Sequence, residues 1–260
     1  MEQVTEKQPG DPGRRVHWGP IAAVFVTVAV YFAAQICAGV FIALYPGMRG
    51  WTAAQRDQWV TNSVDAQFIA VVITEAVSVW LIWKFLKSRK SGWADIGLIR
   101  PRAQDVWTAA KGYVFYFVCF LGLSMFFERF VNAVDVGQEQ QIGFGKAGNT
   151  LPELGLIFIS LVILPPLVEE IICRGFLYTG LRSRLPLAIA ALITSILFAA
   201  AHLQFGTGSQ LLWIAAADTL VLSLVLVYVR QKAGSLWPAI YIHMFKNLAA
   251  FSVLFIFHVS

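Results

Sequence analysis

Long apolar stretches alternate with short polar segments along most of the chain. Seven stretches are apolar enough to cross a hydrocarbon core of about 30 Å, which takes about 20 helical residues. They cover residues 20–44, 67–86, 109–127, 151–173, 187–201, 210–228 and 237–257. They lack strand alternation and are much longer than the strands of a membrane β-barrel, which have about 10 residues. The pattern therefore predicts an all-α polytopic transmembrane helix bundle of about seven spans, or eight.

Composition and charge agree with a membrane protein. Of 260 residues, 58% are apolar and 13% are charged, as expected for a multi-pass membrane protein. The net charge is +5, but the basic residues lie between the spans, where anionic lipid is their expected partner, so we predict no nucleic-acid partner. Fifteen Lys and Arg residues lie on one side and four on the other, which predicts a cytoplasmic N-terminus in the cell inner membrane.

The first motif that carries chemistry contains two adjacent acids and a base inside an apolar stretch. Glu170 and Arg174 are four residues apart with the acid first, the favourable order for a helical ion pair. Glu169 lies about 100° around the helix, so its carboxylate is free to act elsewhere. The alternative is a structural cluster at the end of a span, with both acids in water.

Two further motifs place polar pairs on single helical faces. Phe198 and His202 are separated by three alanines, small residues that allow close contact between membrane helices. His243 and Asn247 form a similar pair on the last span. Ionisable side chains are costly inside a bilayer and usually serve a function there.

The spacing of the first two motifs predicts that they lie at one depth. Glu169 is 16 residues before Leu185, at a predicted turn, and His202 is 17 residues after it. In an antiparallel hairpin both would lie roughly 25 Å from the turn, at 1.5 Å per residue. This requires the helix of Glu169 to continue to about Arg182. His243 is predicted to lie somewhat shallower.

These residue types suit hydrolysis of an amide. Glu169 with His202 can hold and deprotonate a water molecule as a general base. His243 and Asn247 can donate hydrogen bonds to the oxyanion that forms on the scissile carbonyl. The ion pair of the first motif would then orient the site.

The three motifs in this order resemble the CAAX protease and bacteriocin-processing family, also called CPBP or Abi, of glutamate intramembrane proteases. The similarity covers residues 164–247 and includes Gly175 and the segment 234–238. It implies a type II CAAX prenyl endopeptidase-like hydrolase, with Glu169 and His202 activating water and His243 and Asn247 as the oxyanion site. We divide the chain into a disordered tail at 1–19, transmembrane helices at 20–150 and a catalytic core of the CPBP type at 151–260.

The sequence favours a metal-free glutamate endopeptidase that cuts peptides or membrane proteins, with no cofactor. One alternative is a zinc metalloprotease, because two histidines and two carboxylates can ligate zinc, although no His-Glu-x-x-His pair is present. A second alternative is a non-enzymatic membrane protein that serves in regulation or bacteriocin immunity. A third is a proton-coupled transporter, which would carry repeated halves; we find none in the sequence. The oligomeric state stays open.

Other polar residues within spans receive separate interpretations. Asp218 and Lys246 are predicted to form a structural ion pair. Glu75 either faces the bundle interior or lies too near a span boundary to matter. The three cysteines are widely spaced within or beside apolar stretches, so we expect neither a disulfide nor a cysteine metal site.

Overall fold

The computed structural model describes residues 16–130, 144–145, 150–203 and 211–257, and the regular structure of these residues is entirely helical. The helices are α1 (Pro20–Met48), α2 (Ala53–Asn62), α3 (Val64–Ser88), α4 (Ala103–Phe130), α5 (Leu151–Arg182), α6 (Leu187–Ala201), α7 (Trp213–Ala233) and α8 (Trp237–Ile256). A short 3₁₀ helix, Trp93–Ile96, lies between α3 and α4. The prediction of an all-α bundle is confirmed.

The predicted spans correspond to long helices and to one short helix. Among the described residues, six helices are long and apolar enough to cross a membrane, namely α1, α3, α4, α5, α7 and α8. Helix α6 has 15 residues, about 22 Å at the helical rise, and is shorter than the hydrocarbon core. The start of the window predicted at 210–228 lies outside the described residues, and the orientation in the membrane stays a prediction.

The chain is already packed before α1 begins. Residues 1–15 of the predicted disordered tail lie outside the described residues. Residues 16–19 are described, and Trp18 is buried, with its ring stacked on Phe176 of α5 at 5.2 Å between centroids. The end of the predicted tail is therefore part of the packed structure, because its one large apolar side chain is buried against α5.

Helix α2 was not predicted from the hydrophobic pattern. It is polar and has no buried residue. Its start is fixed by a capping box, in which the Thr52 side chain accepts from the Gln55 N–H and the Gln55 side chain accepts from the Thr52 N–H. Such a box satisfies two backbone donors that a helix start leaves free.

Helix α5 changes geometry on both sides of the acidic motif. Segments Ile159–Ile163 and Ile171–Leu177 are π-helical, and the α-helical segment Leu164–Glu170 lies between them. Pro165 has no N–H to donate to the Leu161 carbonyl four residues earlier. The Asn247 amide of α8 donates to that carbonyl instead, at 2.8 Å. The proline therefore creates an acceptor that ties α8 to α5.

Three hydrophobic cores hold the described helices together. The largest core joins α1, α3, α5 and α6 with α7 and α8 and contains Ile82, Phe176 and Tyr178. The second joins α4, α7 and α8 around Leu226, and the third joins α3, α5 and α8 around Phe255. Large apolar side chains on the outer faces of α1 and α4 are exposed, as expected of helices that face lipid.

A polar network fixes the second core. Lys246 Nζ lies 3.5 Å from Asp218 Oδ2, so the predicted ion pair is confirmed. The Tyr116 hydroxyl of α4 donates to the other carboxylate oxygen of Asp218, at 2.5 Å. The network therefore connects α4, α7 and α8.

Candidate active site

The hairpin of α5 and α6 brings the first two motifs together. Helix α5 continues to Arg182, as the register argument required, and α6 begins at Leu187 after a turn. The Arg174 guanidinium carbon lies 4.1 Å from the centre of the Phe198 ring. Glu169 and His202 line one cavity. The predicted convergence of these motifs is present in the structure.

The second acid of the motif is buried and paired. Arg174 Nη1 donates to Glu170 Oε1 at 2.8 Å, and both side chains are 0% exposed. The predicted ion pair is therefore present, and the alternative in which both acids lie in water is excluded by the burial of Glu170. Glu169 differs from its neighbour because its side chain is 32% exposed.

His243 joins this pair from α8. Its Nδ1 lies 3.0 Å from Glu170 Oε1, and its Nε2 lies 3.9 Å from Glu169 Oε2. A carboxylate oxygen accepts hydrogen bonds, so the short contact identifies Nδ1 as a donor. The shallower depth predicted for His243 does not keep it from the site, because its side chain reaches both acids.

His202 is oriented by its own helix. Its Nδ1 lies 2.8 Å from the Phe198 carbonyl oxygen, and a carbonyl can only accept, so Nδ1 is the donor. In the neutral ring this leaves Nε2 as an acceptor. The imidazole also contacts the Phe198 ring, with 4.9 Å between centroids. His202 is thus held in one tautomer beside the cavity.

Asn247 is hydrogen-bonded to the backbone of α5. Its amide donates to the Leu161 carbonyl, and neither Asn247 nor His243 is among the residues that line the cavity. The bond uses one of the two N–H groups of the amide. Asn247 therefore lies one turn beyond His243 and connects α8 to α5.

The cavity beside Glu169 has a volume of about 690 Å³, within the usual range of ligand pockets, about 300–1,000 Å³. Its walls come from α1, α3, α5 and α6. Glu75 of α3 lines it together with Glu169. The sequence analysis gave Glu75 no role in the site. The signal that could have identified it is a carboxylate inside a long apolar span.

The cysteines and possible metal ligands are placed separately. Cys173 lines the cavity as a free thiol, while Cys37 and Cys119 are free thiols on other helices. Within the described ranges, no group of three or more His, Cys, Asp or Glu side chains is arranged to hold a metal ion. A chelation experiment is needed to test the zinc alternative.

Comparison of the sequence with known proteins shows a similarity to one protein family. Residues 152–249 match the family model described as type II CAAX prenyl endopeptidase Rce1-like. The chain is also 34% identical over 100 residues to an uncharacterized 24.3 kDa protein of Escherichia coli. That alignment covers 38% of this chain and 44% of the relative, so the chain spans less than half the length of the relative it matches. No solved structure matches the chain.

The family match and the motifs concern the same part of the molecule. The matched residues 152–249 include all but the first residue of the hairpin that carries the acidic motif, together with His202 and His243. The resemblance stated from the three motifs is thereby confirmed. Over residues 152–249, this multi-pass membrane protein is similar to the type II CAAX prenyl endopeptidase Rce1-like family.

Proposed function

We propose that the protein is a metal-free intramembrane endopeptidase that hydrolyses peptide bonds of peptides or membrane proteins. One observation carries this proposal. Of two adjacent carboxylates, Glu170 is buried and paired with Arg174 and His243, while Glu169 faces a cavity that it shares with His202. The pairing leaves Glu169 as the one of these two adjacent carboxylates that is available as a base beside a space that can hold substrate.

Glu169 and His202 are the proposed water-activating groups. The water oxygen adds to the scissile carbonyl carbon while Glu169 takes a proton from the water. His202 Nε2 can accept the second hydrogen bond of that water because Nδ1 donates to Phe198. The C–N bond then breaks as Glu169 returns its proton to the leaving nitrogen, which yields an amine and a carboxylic acid.

His243 is the proposed donor to the oxyanion of the tetrahedral intermediate. Glu170 holds its Nδ1, and Arg174 holds Glu170, so the direction of Nε2 is fixed by two buried partners. In the doubly protonated ring, Nε2–H can donate to negative charge that develops beside Glu169. The distance of 3.9 Å between His243 Nε2 and Glu169 Oε2 is too long for a direct hydrogen bond. One small group of the substrate can contact both of these atoms.

Asn247 is proposed to support the same oxyanion with its remaining N–H. This role requires the amide to keep its bond to the Leu161 carbonyl while the second N–H turns towards the site. The bond to Leu161 also fixes the position of α8 along α5, and therefore the position of His243. Substitution of Asn247 is therefore expected to affect both activity and stability.

The proposal is tested by cleavage of a peptide library by the purified protein in liposomes. The library contains unmodified peptides and peptides with a prenylated C-terminus, because the description of the matched family names a prenyl endopeptidase. The variants are Glu169→Gln and His202→Ala, with Glu128→Gln as a matched control. Glu128 is an exposed glutamate of α4, far along the chain from the motifs.

We expect cleavage by the wild type and the control, with losses of about 10²-fold or more in the two site variants, and no effect of a zinc chelator. Loss of activity on chelation would instead assign the same residues to a metal site. Activity retained by Glu169→Gln would contradict the proposal. Absence of cleavage by the wild type on every peptide would favour the regulatory or immunity interpretation.

A further inference from the structure

The cavity wall formed by the N-terminal half of the chain is unusually polar for membrane helices. Helix α3 contributes Thr74, Glu75 and Ser78, and α1 contributes Thr27 and Gln35. Thr27 and Gln35 are eight residues apart, so they lie on one face of α1. All five lie outside the residues 152–249 that match the family. This wall is therefore a feature of the chain that the proposed catalytic machinery does not use.

Glu75 is the one charged residue of this wall. It lies near the middle of the 25-residue helix α3, where a carboxylate is costly in a bilayer unless it serves a function. Within the described part of the chain, its side chain has neither a hydrogen-bond partner nor an ion-pair partner, and it shares the cavity with Glu169. Its place in the middle of α3 and on the cavity wall favours the interior interpretation of Glu75 over the boundary one.

The charges around the cavity are unbalanced. Its described lining contains two carboxylates, Glu75 and Glu169, and neither lysine nor arginine. Two carboxylates that interact in a low-dielectric space repel each other, and a cation between or beside them relieves that repulsion. The cavity is thus complementary to a ligand that brings a positive charge.

We propose that Glu75 binds a positively charged group of the substrate, the ammonium or guanidinium of a basic side chain or of a free N-terminus, close to the scissile bond. This inference rests on the proposed function and specifies its substrate class. Glu75 is then a specificity residue, because it contacts the substrate and takes no part in the proton transfers at Glu169.

Neighbouring groups fit such a ligand. An ammonium group has three N–H donors, and a charge-assisted hydrogen bond to a carboxylate is among the strongest that a protein makes. The Thr27 hydroxyl oxygen is buried and has no hydrogen-bond partner among the described residues, and it lines the same cavity. Glu75 and the Thr27 hydroxyl of the same cavity are thus both available to accept hydrogen bonds from a bound cation.

The test compares peptides that differ only in charge. Each peptide carries lysine or the uncharged, similarly shaped norleucine at one position near the cleaved bond, and each is prepared with a free or an acetylated N-terminus. The ratio of kcat/KM for lysine over norleucine is measured for the wild type, for Glu75→Gln and for Asp65→Asn. Asp65 is an exposed carboxylate in the first turn of the same helix, so Asp65→Asn is the matched control.

We expect the wild type and Asp65→Asn to prefer the charged peptide about tenfold or more, and Glu75→Gln to bring the ratio near one. A preference that survives acetylation identifies the side chain as the bound cation, and one that acetylation abolishes identifies the N-terminus. Cleavage without charge preference by the wild type, or a preference kept by Glu75→Gln, would overturn the inference and leave the peptidase intact.

A binding experiment separates the two proposals. Fluorescence anisotropy of labelled peptides is measured on Glu169→Gln and on the Glu169→Gln/Glu75→Gln double variant, neither of which needs to turn over substrate. We expect the second substitution to weaken binding of the lysine peptide about tenfold and to leave binding of the norleucine peptide nearly unchanged. If the wild type cleaves nothing but this difference is present, the cation site stands and the peptidase proposal fails; if the difference is absent, the inference fails.

Discussion

Replacement of Arg174 by methionine should destabilise the protein strongly, because it leaves a buried carboxylate without its main partner. Arg174 and Glu170 are both 0% exposed and 2.8 Å apart. Removing one member of a buried pair costs about 3–5 kcal/mol. The guanidinium also lies 4.1 Å from the Phe198 ring centre, and a desolvated contact of this kind adds about 2 kcal/mol. Since His243 still contacts Glu170, we expect a total loss of about 4 kcal/mol.

The loss is measured as the shift in free energy of unfolding in mixed detergent micelles titrated with SDS. Arg56→Met is the matched control, since Arg56 pairs with Asp57 at 3.0 Å while the two side chains are 50% and 68% exposed. Exposed pairs of this kind contribute about 0–1 kcal/mol. Adding Glu170→Gln to Arg174→Met removes the unpaired charge and should recover about 2 kcal/mol. A loss below about 1 kcal/mol for Arg174→Met, or no recovery in the double variant, would refute the reasoning.

Three further predictions concern packing, the second core and the tie between α8 and α5. Gly180→Ala should lower the free energy of unfolding by about 1–3 kcal/mol, because the added methyl carbon would lie 2.4 Å from Trp18 Nε1. The control is Gly155→Ala on the same helix, whose methyl group meets no atom within 4 Å and which should be neutral or stabilising. Equal melting temperatures for the two variants would contradict this prediction. Tyr116→Phe removes a hydrogen bond to a carboxylate and should lower the free energy of unfolding by about 1.5–3 kcal/mol, without changing the KM of a cleaved peptide; a changed KM would show that this network reaches the site. Asn247→Ala leaves the Leu161 carbonyl unpaired and should cost about 1–3 kcal/mol in the same unfolding titration; unchanged stability would remove the structural role.

The parts of the site that depend on local helical spacing were predictable from sequence. The contact between Glu170 and Arg174 follows from their separation of four residues. The common depth of Glu169 and His202 follows from their nearly equal distances from one turn. Both arguments need only the rise and period of a regular helix.

The parts that depend on tertiary packing were not predictable in this way. A depth estimate assumes straight, upright helices, and the contact of His243 with Glu170 arises where three helices meet, one of which has π-helical segments. The bond between Asn247 and Leu161 depends on a carbonyl freed by Pro165. Glu75 has no motif around it, so only the fold shows that its side chain lines the cavity with Glu169.

Helix α2 was missed for a different reason. A search for apolar stretches passes over a polar helix with no buried residue. The signal present in the sequence was the capping box of Thr52 and Gln55, which indicates a helix start without reference to hydrophobicity.

The most direct test of the central claim is peptide hydrolysis in ¹⁸O-labelled water, followed by mass spectrometry of the products. The account predicts that the wild type yields a product whose new C-terminal carboxyl group carries one ¹⁸O atom, and that Glu169→Gln yields none above background. Equal labelled product from Glu169→Gln, or no product from the wild type on any peptide, would contradict the claim that Glu169 activates water in this cavity.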